Sequence, residues 1–133
     1  MKEPSWIDEH ISLAIHARML TLHGGAPGLR DKGLLQSALA RPRQLFAYGE
    51  SPSVITMAAA YVAGIVRNHP FIDGNKRTGF VVGVLFLETN GCRFTAPEED
   101  ATRAVLDLAA GVLDEEAFAA WSGSQVKSNR KKR

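Results

Sequence analysis

At 133 residues, 45% hydrophobic and 23% charged, the chain has the length and composition of one compact soluble domain with a core of its own. The formal charge of +2 is unevenly placed: residues 127–133 carry five cations and no acid, which leaves −3 on residues 1–126 and removes the case for a nucleic-acid-binding body. Lone Cys92 excludes an intramolecular disulfide, the opening Met-Lys-Glu-Pro-Ser-Trp is no secretory signal, and the apolar runs 57–66 and 79–87 fall short of the roughly 20 residues of a membrane span, so the expected compartment is the cytoplasm.

The pattern predicts an all-helical domain over residues 1–124 and a basic, disordered tail over 125–133. Residues 6–23 place Ile11, Ile15, Met19 and Leu22 at helical spacing, with Leu13 and Leu20 widening the stripe. His10, His16 and His23 lack metal-ligand spacing and read as surface or helix-face residues. Gly24-Gly25-Ala26-Pro27-Gly28 breaks the helix, and Asp31 caps a short one that Pro42 ends near Ala40, leaving 41–50 as loop. Ser51 with Pro52 opens a helix to about Asn68 that is apolar on nearly every face and therefore central. A second central helix covers 75–90, with Gly79 and Gly83 one turn apart for close approach of a neighbour and Asn90-Gly91 as a left-handed cap. A short extended piece follows at 92–95. Thr95 and Glu98 form a capping box for a helix over 97–110, and Asp114 opens a last one ending near Trp121.

Between the two central helices, residues 69–79 read His-Pro-Phe-Ile-Asp-Gly-Asn-Lys-Arg-Thr-Gly. A helix N-terminus offers unpaired N–H groups and partial positive charge to an anion. Lys76 and Arg77 stand in that first turn, where the helix dipole disfavours cations, so the placement expects an anion such as a polyphosphate. Asp73 is suited to the magnesium that accompanies one, and also to capping the helix. His69 is the nearby group able to take a proton near neutral pH, and the proline after it turns its backbone out of the helical region. Phe71 is expected to anchor the loop in the core, and Gly74 to permit positive φ or close approach of a ligand.

This motif closely resembles the signature of the Fic/Doc superfamily, in particular its Doc (death-on-curing) toxin branch. The likeness extends over roughly residues 10–95, through residues 24–31, 38–42 and 85–91. It implies a small Fic-type helical domain in which two central buried helices flank the active-site loop. The AMP-transferring branch has glycine where this chain has Lys76 and a second arginine where it has Phe80; both departures resemble Doc. Doc-type proteins are kinases that phosphorylate elongation factor Tu and stop translation. By resemblance His69 is the base on the acceptor hydroxyl and Asp73 the magnesium ligand. Gly74, Asn75, Lys76 and Arg77 hold the phosphates of ATP, with Arg67 as an accessory cation. The inhibitory Ser/Thr-x-x-x-Glu-Gly/Asn helix of many relatives has no counterpart, since Thr95 and Glu99 are followed by Asp100. The resemblance implies control by a separate, Phd-like antitoxin, which would also do any DNA binding. Transfer of AMP or another nucleotide portion, and a catalytically silent binding module or corepressor, are the competing readings.

Overall fold

The computed structural model describes residues 2–50 and 52–128. Among them, six helices and a two-stranded sheet follow in the order α1 (Glu9–His23), α2 (Lys32–Tyr48), α3 (Val54–Asn68), α4 (Asn75–Thr89), β1 (Cys92–Phe94), α5 (Glu98–Ala109), α6 (Glu115–Gly123) and β2 (Val126–Ser128). The architecture is the all-helical one expected, with α3 at its centre.

Helix α3 has the composition of a helix surrounded by others, and nine of its fifteen residues are buried. It packs against α2, α4, α5 and α6. Met57, Ala58, Tyr61 and Ile65 join Ile7, Leu35, Leu39, Phe71, Val82 and Phe86 on one side. Ala59, Val62, Ala63 and Val66 join Ala104, Val105, Leu108 and Phe118 on the other. Gly79 and Gly83 do let α4 lie close on α3: a Cβ at position 83 would fall 2.4 Å from Val62 Cγ2 and 3.3 Å from the Ala58 carbonyl.

Several boundaries differ from the sequence reading. Helix α2 does not stop at Pro42 but runs through it to Tyr48, so residues 41–48 are helix rather than loop. An interior proline forfeits one backbone bond and costs about 3 kcal/mol; here Pro42 is itself fully buried, and Leu45 and Phe46 beyond it pack on the core. Helix α3 begins at Val54, not at the Ser51–Pro52 step, of which Ser51 lies outside the described residues. The cap is Ser53, whose Oγ accepts from Thr56 N at 3.0 Å while Thr56 Oγ1 accepts from Ser53 N at 3.1 Å. The expected box at Thr95 does not form, because the Thr95 hydroxyl donates to the Gln125 carbonyl at 2.8 Å and Pro97 takes the cap position of α5. Asp31 and Asp114 cap α2 and α6 as expected. Residues 126–128, assigned to the tail from sequence, pair antiparallel with β1, Phe94 opposite Val126 and Cys92 opposite Ser128; 129–133 lie outside the described residues.

Candidate active site

The loop between α3 and α4 is anchored by buried residues that alternate with its exposed polar ones. Phe71 is fully buried, and its backbone is gripped by Asn75: Phe71 N donates to Asn75 Oδ1 and Asn75 Nδ2 donates to the Phe71 carbonyl, both at 2.9 Å. Both polar ends of the buried Asn75 side chain are thereby committed to the loop, so what it offers a ligand is its backbone N–H. His69, Asp73, Lys76 and Arg77 are exposed, as is Arg67 in the last turn of α3.

His69 is the one non-glycine residue with positive φ among those described (φ 54°, ψ 52°). The residue before a proline is expected to be extended; instead His69 is the left-handed C-cap of α3, with its N–H on the Ile65 carbonyl at 3.1 Å. Holding a non-glycine residue there costs about 1–2 kcal/mol. The segment before α2 meets that cost: Arg30 Nε donates to the His69 carbonyl at 2.7 Å and Arg30 Nη2 to the Asn68 carbonyl at 2.9 Å. The N–H groups of Arg30 and Asp31 both donate to the Pro70 carbonyl, at 2.7 and 3.0 Å, and Ile72 N donates to the Gly28 carbonyl at 3.0 Å.

Asp73 does not cap α4. Its Oδ1 accepts from Gly74 N at 2.8 Å and its Oδ2 from Ala26 N at 3.2 Å, a contact possible only because Gly25 has no Cβ, which would lie 2.8 Å from that oxygen. The Ala26 N–H first, then the Gly74 N–H and the charge of Arg77, hold its carboxyl below the usual aspartate value. Gly74 takes the cap position at φ 81° and no side chain caps the helix. The first-turn N–H groups of Asn75, Lys76 and Arg77 are therefore left for an anion. Neither cation is spent on an ion pair among the described residues. Asp73 suits magnesium, which keeps most of its water and takes one or two carboxylates together with substrate phosphates; no cluster of three or more acidic, His or Cys groups surrounds it among the described residues.

One participant was missed from sequence. His16 of α1 is buried rather than on a surface face. Its ring stacks on Phe71 with centroids 3.8 Å apart and planes 7° from parallel, and its Nε2 lies 2.8 Å from the Asp73 carbonyl, which requires the proton on that nitrogen. His10 and His23 are exposed, as expected. Phe80 is half-buried: it packs on the second apolar cluster and meets Phe94 edge-on at 5.6 Å.

The family model for the Fic/DOC family matches residues 6–87. The chain is 35% identical over 94 residues to "Protein kinase doc" of Escherichia phage P1, a match covering 67% of this chain and 75% of that protein. It is 43% identical over 75 residues to "Toxin Doc" of Mycolicibacterium smegmatis, covering 55% of this chain and 57% of that protein. These matches run through the site just described, and the chain belongs to the Fic/Doc family, on its Doc branch.

Proposed function

We propose that the protein is a Doc-type toxin: a protein kinase that moves the γ-phosphate of ATP to a hydroxyl of a translation factor, by resemblance elongation factor Tu, and is held in check by a Phd-like antitoxin. The observation that carries this is the uncapped N-terminus of α4, with Lys76 and Arg77 exposed in its first turn beside the loop that carries His69 and Asp73. The names of the two relatives, a protein kinase and a toxin, agree with it. Lys76 in place of glycine, and an apolar, core-packed Phe80 in place of a second arginine, favour the kinase over nucleotide transfer.

In this reading the first-turn N–H groups of α4, with Lys76 and Arg77, bind the phosphate chain and offset the charge that develops on it. Arg77 presents a planar fork to phosphate oxygens and Lys76 a point charge. Arg67 stands nearby in sequence as an accessory cation. Asp73 would hold magnesium, which would supply charge neutralisation to the phosphates. The acceptor oxygen bonds to the γ-phosphorus as the bond to the bridging oxygen breaks; the hydroxyl proton passes to the neutral His69 ring and ADP leaves with the bonding electrons. A positioned histidine base contributes about 10²–10⁴-fold.

The test incubates the protein with magnesium, elongation factor Tu and ATP labelled at either the α or the γ phosphate. Label from γ alone, lost in His69→Ala while its fold persists, is expected. Label from α would replace the kinase with nucleotide transfer. No label together with retained nucleotide binding would favour a silent binding module, as would growth arrest that His69→Ala leaves unchanged.

A further inference from the structure

The His69 ring is exposed and makes no hydrogen bond or ion pair among the described residues, so what the protein fixes of its direction is the Cα–Cβ vector that its backbone sets. That backbone is left-handed, a conformation a histidine keeps only where its surroundings impose it. Beside the Ile65 carbonyl, which holds the His69 N–H, and the Asp31 N–H, which shares the Pro70 carbonyl, most of these surroundings come from one residue. Three successive carbonyls, of Asn68, His69 and Pro70, are all taken by Arg30: the first two by its guanidinium at 2.9 and 2.7 Å, the third by its backbone N–H at 2.7 Å. The guanidinium also sets a positive charge on the C-terminal end of α3, where the helix dipole favours one. Arg30 is itself exposed, so it does not act as a core residue.

We propose that Arg30 is a positioning residue for the transfer reaction: its fork holds His69 in the left-handed conformation and thereby aims the imidazole at the acceptor hydroxyl. This rests on His69 being the base. Lysine cannot reproduce the fork, because an ammonium is a single point charge with no planar pair of donors. The side chain can be removed without undocking the segment, since the bonds from Arg30 N and Asp31 N to Pro70 and from Ile72 N to Gly28 are made by backbone.

The test compares Arg30→Met, Arg30→Lys, His69→Ala and the double variant Arg30→Met/His69→Ala, reading the transfer rate at saturating ATP and, separately, the dissociation constant for ATP. Arg30→Met is expected to slow transfer about 10- to 100-fold, the scale of a misplacement near 1 Å, with ATP affinity changed less than about twofold. Arg30→Lys is expected to lie between it and the native protein, and a few millimolar guanidinium ion to restore part of the rate to Arg30→Met but none to His69→Ala. In the double variant the Arg30 change should add nothing to the His69 loss, because a residue that acts through another has no effect once that other is gone. Native turnover in Arg30→Met beside an inactive His69→Ala overturns the proposal. So does an equal loss in both backgrounds, or a parallel loss of ATP affinity. Full activity in His69→Ala would instead remove the base reading and the positioning role with it. Should Arg30→Met fail to fold, Arg30→Lys decides: turnover equal to native in that variant overturns the proposal.

Discussion

Removing the Asn75 side chain separates two accounts of that residue, because sequence placed it among the phosphate ligands and the structure turns its amide inward. In Asn75→Ala the Phe71 N–H and C=O each lose a partner at 2.9 Å. Phe71 is fully buried, so neither group has another protein partner at hand among the described residues. An orphaned buried polar group costs about 1–3 kcal/mol, and the lower half of that range applies where water can reach the gap. It can here, since Ile72 and Asp73 beside it are exposed. Two groups give about 2–4 kcal/mol, and the gain in helix propensity at the first turn of α4 returns only about 0.5 kcal/mol. For a domain of this size that is a fall in Tm of roughly 6–12 °C. Thermal unfolding followed by circular dichroism at 222 nm reads it directly. Asn75→Asp keeps the acceptor for Phe71 N but sets a carboxylate against the Phe71 carbonyl, and should lose as much at neutral pH. A fall of less than about 3 °C in Asn75→Ala, together with loss of ATP binding to the folded variant, would refute the reasoning and return the amide to the phosphates.

Three further changes probe the frame around the loop. Gly83→Ala puts a methyl 2.4 Å from Val62 Cγ2; relief needs α3 and α4 to part, an overpacking of about 1–3 kcal/mol against about 1 kcal/mol of regained helix propensity, so denaturant unfolding should show a net loss, and an unchanged or raised midpoint would disprove the close contact. Thr78 Oγ1 is buried in the first turns of α4 without a hydrogen-bond partner; Thr78→Val should therefore leave stability unchanged or raise it by about 1 kcal/mol, and a clear loss would reveal a partner. Asp73 has a native pKa lowered from its ordinary value of 3.8, chiefly by the Ala26 and Gly74 N–H groups. A depressed carboxylate contributes stability that is present above the unfolded value and lost as pH falls through the native one. The acid limb of Tm against pH, below about pH 4, should thus be shallower in Asp73→Asn than in the native protein; superimposable limbs would contradict the bonding seen at Asp73.

The candidate site of this chain is legible because it is contiguous. His69, Asp73, Lys76 and Arg77 fall within nine positions, and the two helices that carry them declare their burial by being apolar all round. What holds the loop is remote in sequence and gives no local signal: Arg30 reaches His69 across 39 positions and His16 reaches Asp73 across 57. For His16 a sign existed. At 100° per residue, Ser12 and His16 fall in the gap between the arc of Ile11, Ile15, Met19 and Leu22 and the pair Leu13 and Leu20, so apolar residues flank them on both sides. A polar residue so enclosed points inward, as both do. Pro42 and Thr95 misled for a related reason. Local rules end a helix at one and begin a helix at the other, while burial of Pro42 and the Thr95 bond to Gln125 are decided by tertiary neighbours.

The alternation along the loop bears on which substitutions can be read as chemistry. Phe71 and Asn75 are buried and fix the backbone, whereas His69, Asp73, Lys76 and Arg77 are exposed. Apart from Asp73, whose carboxylate also holds the Ala26 and Gly74 N–H groups, the residues that hold the loop are therefore not those proposed to react. Loss of activity in His69→Ala, Lys76→Ala or Arg77→Ala reports the reaction, while loss in a Phe71 or Asn75 variant reports the scaffold first. The span between His69 and the N-terminus of α4 is fixed by the same division. Its two ends belong to α3 and α4, and these helices are locked where Gly79 and Gly83 of α4 meet Val62, Ile65 and Val66 of α3. A site built on that contact needs no ligand to assemble it, and His69 already stands in its left-handed conformation without one.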